Sequence, residues 1–155
     1  MFIKIFFNYL SKFHYNSIYK YSKKLNFEIM IDIGCHEGEL VSRFLQFKKI
    51  KNFFCFEPNN TLYKKLYKKY KLNKKIKVFD YALGEDQSNK KLFLSNLTYV
   101  STMSSFNKNS NYLKFKNLIL KDKKNQKFIN IKQKTFDEVF KNKNIKNSFL
   151  KIDVE

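Results

Sequence analysis

The chain has 155 residues, the length of one domain, and 43% of them are apolar, enough to build a core. Its net charge is +19, yet Arg43 is the only arginine, and surfaces that read bases or phosphates lean on arginine's bidentate fork. Lysine, asparagine, phenylalanine, isoleucine and tyrosine, all residues with A/T-rich codons, are enriched together, so the charge reads as compositional bias and no specific nucleic-acid partner is expected.

From Met1 to about Leu25, Phe2, Phe6, Leu10, Phe13 and Tyr21 recur at helical spacings among lysines and asparagines. The pattern predicts an amphipathic helix over 1–25, ahead of a domain over 26–155. Lys4 and Asn8 interrupt the apolar run, which is too short to span a bilayer and is not built like a signal peptide. The helix is expected to pack across the domain in a cytoplasmic protein, with peripheral contact at a membrane surface as the alternative.

The stretch Ile29-Met30-Ile31-Asp32-Ile33-Gly34-Cys35-His36-Glu37-Gly38-Glu39-Leu40 reads as a strand buried on both faces, an acid at its carboxyl end, a glycine turn and a helix start. Gly34 and Gly38 allow a sharp turn and the close approach of a ligand. The helix is expected over about 38–48, with Leu40, Val41, Phe44, Leu45 and Phe47 buried. A second strand, Phe53–Phe56, ends at Glu57-Pro58-Asn59, where proline cannot donate to a ladder. A helix over about 60–71 follows, burying Leu62, Leu66 and Tyr70 and leaving Lys64, Lys65, Lys68 and Lys69 to solvent. The third strand, Ile76–Phe79, is closed by Asp80-Tyr81-Ala82-Leu83-Gly84. Cys35 and Cys55 fall at strand ends and read as reduced, buried thiols, with no disulfide framework and no metal site.

Three strand–helix units in series predict an α/β fold with a parallel sheet, and right-handed crossovers bring Asp32, Glu57 and Asp80 to one edge. Residues 85–127 are less regular. Lys91–Leu94 is strand-like, while Ser101–Ser105 and Asn107–Asn111 read as loop. Phe128–Ile131 is a strand, Thr135 and Glu138 form a capping box for a helix to about Lys141, and Phe149–Glu155 is a last strand.

The edge narrows the ligand. The turn lacks G-x-G-x-x-G and carries Glu37 and Glu39, which would repel a pyrophosphate, so a dinucleotide dehydrogenase is disfavoured. No G-x-x-x-x-G-K-[ST] occurs, which excludes a P-loop. Glu57 is placed to accept ribose hydroxyls, Asp80 to meet an adenine amino group and Asp32 to face an amino-acid ammonium. Together they describe S-adenosylmethionine, an adenosine without phosphates.

Ile31-Asp32-Ile33-Gly34, Phe56-Glu57-Pro58-Asn59, Ala82-Leu83-Gly84, Ser101-Thr102-Met103-Ser104-Ser105, Thr135-Phe136-Asp137 and Leu150-Lys151-Ile152-Asp153-Val154-Glu155, in that order, resemble the N-terminal part of FkbM-family methyltransferases. Where that family more often reads G-A-N-x-G, this chain has Cys35 and His36. The resemblance implies a Rossmann-like class I methyltransferase sheet with helices on both faces. It also implies cofactor contacts at Asp32, Gly34, Gly38, Glu57, Asn59, Asp80 and Ala82. The activity implied is methyl transfer to a hydroxyl of a sugar, polyketide or related metabolite. Asp153 and Glu155, at the end of a strand on the ligand edge, are the candidates to orient or deprotonate the acceptor. The family continues past K-I-D-V-E, so the sheet is expected to be C-terminally incomplete, with its fourth strand an unprotected edge. The competing expectation is a non-catalytic, lysine-rich module that binds nucleic acid or an anionic membrane.

Overall fold

The computed structural model describes residues 13–94 and 127–153. The first part of the expected N-terminal helix, the Ser101–Ser105 and Asn107–Asn111 loops, and Glu155 lie outside these residues.

The apolar strand β1 (Ile29–Ile33) lies inside a four-stranded sheet, between β2 (Asn52–Phe56) and β7 (Ser148–Ile152), with β3 (Ile76–Phe79) beyond β2. All three pairings are parallel, and Asp32 lies level with Cys55 on one side and Lys151 on the other. Period-two alternation gives the sheet two buried faces. Met30, Phe53 and Cys55 face one way and pack against Leu40, Val41 and Phe44 of helix α2 (Glu39–Phe44) and against Leu66 and Tyr70 of helix α3 (Asn60–Tyr70). Ile31, Ile33, Phe54 and Phe56 face the other way, onto Val139 and Phe140 of the short helix α4 (Phe136–Phe140). The result is an α/β sheet with helices on both faces. Each aliphatic or phenylalanine side chain buried in this way contributes about 1.5–3 kcal/mol.

A second, three-stranded sheet has the order β4 (Tyr81–Gly84), β6 (Lys127–Thr135), β5 (Ser88–Leu94). The segment expected to close β3 is therefore itself a strand. Tyr81 and Leu83 pack on the second face of the main sheet, while Ala82 points the opposite way, onto Leu92 and Ile131. β4 runs parallel to β6, and β5 runs antiparallel to it. β6 is also longer than the expected Phe128–Ile131, because its ladder with β4 continues through Thr135.

Three other boundaries differ from expectation. Helix α1 covers 13–22 of the described residues, and the chain turns at 23–25. Its inward face is not the Phe13–Tyr21 stripe, whose residues are 67% and 76% exposed; Tyr15 and Ser22 are buried instead, with Ile18 and Tyr19 packed against the core. α2 stops at Phe44, well short of 48, because the chain tightens into i→i+3 bonds from Gln46 to Arg43 and from Phe47 to Phe44. α4 ends at Phe140, and at its start Thr135 Oγ1 accepts from the Glu138 N–H at 3.2 Å, one half of the expected capping box.

Among the described residues β7 has a partner on one side only, and its Leu150 and Ile152 are 43% and 60% exposed. No described helix is long and apolar enough to cross a membrane.

Candidate functional site

Because the main sheet is wholly parallel, the carboxyl ends of β1, β2, β3 and β7 open on one edge. The chain leaves them at Gly34, Glu57, Asp80 and Asp153. Backbone hydrogen bonds lace this edge together. The Gly34 and Cys35 N–H groups both donate to the Phe56 carbonyl, at 3.0 and 3.1 Å, and the Glu57 N–H donates to the Phe79 carbonyl at 3.0 Å. The Asp153 N–H donates to the Ile33 carbonyl at 3.0 Å.

The loop after β1 takes the left-handed conformation three times in five residues, at Gly34 (φ 76°), His36 (φ 50°) and Gly38 (φ 73°). Position 36 therefore favours a residue that tolerates positive φ. Histidine and asparagine are both among the side chains enriched there, so the departure from G-A-N-x-G leaves the backbone path open. Glu57 fixes the same point from across the edge, since its Oε2 accepts the His36 N–H at 2.8 Å and its Oε1 accepts the Asn59 N–H at 2.9 Å. Burial pushes the Glu57 carboxyl up, and the two N–H groups pull it back only in part. Each Glu57 oxygen takes one of these bonds and keeps capacity for a second donor.

Asp32 is buried, and it faces a partner that the sequence reading did not single out. Lys151 Nζ lies 3.1 Å from Asp32 Oδ1, 3.3 Å from Asp153 Oδ2, and 2.9 Å from the Gly34 carbonyl, to which it donates. The contact with Asp32 Oδ1 is an ion pair without an aligned hydrogen bond. Burial raises the Asp32 carboxyl, against the pull of the Lys151 ammonium beside it. For Lys151, burial pulls downward, but the two carboxylates more than offset it and keep the ammonium protonated. The signal for Lys151 was periodicity: Phe149, Lys151 and Asp153 share one face of the last strand, and Phe149 packs against the core.

The other predicted site residues fall into place unevenly. Asn59 is buried as the N-cap of α3, its Oδ1 accepting the Thr61 N–H at 3.0 Å. Gly38 is required by the protein's own packing, because a Cβ there would sit 2.8 Å from Leu66 Cδ2 and 3.1 Å from Tyr70 Cε2. Asp80 stands exposed at the end of β3, close enough to Tyr63 and Tyr81 to help burial raise their hydroxyls. The Ala82 side chain belongs to the cluster of the small sheet. The acids of the turn are internally engaged, Glu37 with Lys65 at 3.1 Å and Glu39 with His36 at 3.0 Å, which softens the repulsion expected towards a phosphate. Cys35 and Cys55 are free and buried; their mutual hydrogen bond, with burial, pushes the Cys35 thiol well above the ordinary range. Such a thiol is inert.

The edge thus offers four carboxylates, those of Asp32, Glu57, Asp80 and Asp153, and one buried ammonium around a tight turn, a set suited to a polar ligand with several hydroxyl or ammonium donors. No protein-family model matches the chain, and no curated protein matches it. Among solved structures the chain is similar to the methyltransferase FkbM from Methylobacillus flagellatus KT, at 16% identity and a TM-score of 0.50 over 86% of its length. The chain spans 28% of that protein. At this identity the likeness is one of fold, and it agrees with the Rossmann-like arrangement described above.

Proposed function

We propose that this edge is the cofactor corner of an S-adenosylmethionine-dependent methyltransferase. The observation that carries the reading is Glu57: a buried carboxylate at the end of β2 whose two oxygens each hold one backbone N–H and retain one acceptor position. A ribose diol offers two O–H donors to match. Asp80, exposed at the next strand end, suits an adenine amino group, so the adenosine half of the cofactor fits the residues present. The amino-acid half fits less simply, since Asp32, expected to face an ammonium, is already paired with Lys151. The fold likeness to a methyltransferase supports the same assignment.

When bound, the cofactor supplies an electrophilic methyl group on a sulfonium. The chain's part is alignment: Glu57 and Asp80 would fix the nucleoside, the turn from Gly34 to Gly38 would limit its approach, and Asp153 would orient an acceptor hydroxyl of a sugar, polyketide or similar metabolite.

Calorimetry with S-adenosylhomocysteine tests the reading. Binding by the folded chain is expected, with at least a tenfold loss in Asp80→Ala, at an exposed position, and a larger loss in Glu57→Ala. A folded chain that binds nothing, or binds equally well after both substitutions, overturns it.

A further inference from the structure

The Lys151 ammonium donates to the Gly34 carbonyl and stands at ion-pair distance from two carboxylates, but these partners are not equivalent. Asp32 is buried in the sheet, and the Gly34 carbonyl is part of the backbone. Asp153 makes the longest of the three contacts, 3.3 Å, and its side chain is 58% exposed. A side chain so placed can rotate into water at little cost, whereas the other two partners cannot leave without unfolding the edge. If Asp153 swings away, Lys151 is left as a buried cation with one of its two carboxylate partners gone, beside the turn that limits the corner. The strongest replacement for a lost carboxylate is another carboxylate.

We infer that Asp153 is an exchangeable placeholder and that Lys151 receives the carboxylate of the ligand's amino-acid end. The inference rests on the cofactor reading above and refines it. The amino-acid half is then held by a lysine that Asp32 and Gly34 keep in position, instead of by Asp32 directly. Lys151 does this with no change in its own place in the sheet, because its register opposite Asp32 and its bond to Gly34 are unaltered. Asp32 keeps Lys151 from becoming a lone buried ammonium, which would be strongly disfavoured, so the buried pair survives the exchange.

The test compares S-adenosylhomocysteine with its decarboxylated form, which keeps the adenosine and the ammonium, by calorimetry on the full chain. The wild-type chain is expected to prefer the carboxylate-bearing ligand by about tenfold, the size expected for one partly desolvated charge pair. Asp153→Asn, which removes the competitor, is expected to widen that preference. Lys151→Met combined with Asp32→Asn, which removes the buried pair together and leaves no lone charge, is expected to abolish it. Equal affinities in the wild-type chain, a preference for the decarboxylated ligand, or a preference untouched by these variants overturns the inference while the cofactor reading stands. Binding of neither ligand removes the cofactor reading itself, and this inference with it.

Discussion

At the scale of single residues, Glu57 makes the corner sensitive to pH. Its folded-state carboxyl lies above the ordinary glutamate range because burial outweighs the two N–H groups it accepts. A group raised on folding binds more protons in the folded than in the unfolded chain, so its contribution to stability is present at low pH and is lost as pH rises through the folded value. The comparison of wild type with Glu57→Gln isolates that contribution. Near neutral pH the variant is expected to cost about 1–3 kcal/mol, because the amide sets an N–H against one of the two backbone donors. As the pH falls towards the ordinary glutamate range, the gap is expected to widen in favour of wild type. Urea denaturation at a series of pH values reads this directly, and a gap that narrows on acidification would mean that hydrogen bonding, not burial, dominates at this carboxyl. Asp32, Glu57 and Asp80 were legible in the sequence because an acid directly after an apolar strand marks a sheet edge. Lys151 was harder to see, because in a lysine-rich chain only its shared face with Phe149 and Asp153 sets it apart, and its place opposite Asp32 comes from the register.

At the scale of elements, the contact between the first turn and α3 decides whether the corner is rigid. Gly38 caps α2 with φ 73°, and the Tyr70 hydroxyl and Ser42 Oγ both donate to its carbonyl, at 3.2 and 2.8 Å. Gly38→Ala is expected to cost about 1–2 kcal/mol for the left-handed backbone, and about 1–3 kcal/mol more for the overlap with Leu66 and Tyr70. Leu66→Ala alone is expected to cost about 2–5 kcal/mol as a cavity. The double variant should then fall short of the sum by about 1 kcal/mol, because the smaller residue makes room for the new methyl while the backbone strain stays. Strict additivity in denaturant midpoints would show that Leu66 yields freely and that only the backbone demands glycine. The sequence marked β1, β2, β3 and α3 to within a residue or two, since each combines a clear period with a proline, asparagine or acid at its end. It misplaced the buried face of α1, where Tyr15, Ile18, Tyr19 and Ser22 mix polar and apolar types so that hydrophobicity alone misleads. It also missed β4, whose Tyr81-Ala82-Leu83 alternation is too short to read until both of its faces have partners.

For the molecule as a whole, the second sheet was illegible because β4 and β5 find β6 across a long separation, with Gln133 Nε2 reaching back 47 positions to Asp86 Oδ1 at 2.7 Å. The charge, in contrast, was plain from composition, and it makes a prediction of its own. A net charge of +19 on a chain of this size opposes the compact state by self-repulsion. Ion pairs relieve little of it, since Lys51–Glu28 and Lys65–Glu37 are more than half exposed on the lysine side. If the lysines follow codon bias, with no anionic surface to bind, screening them should help the fold. Raising sodium chloride from about 20 to about 200 mM, which brings the Debye length below about 10 Å, should raise the melting temperature by several degrees. Lys64→Gln with Lys68→Gln, both on the solvent face of α3, should raise it at low salt and flatten its salt dependence. Lower stability in that double variant, or a melting temperature indifferent to salt, would show that the lysine face does more for this fold than keep it in solution.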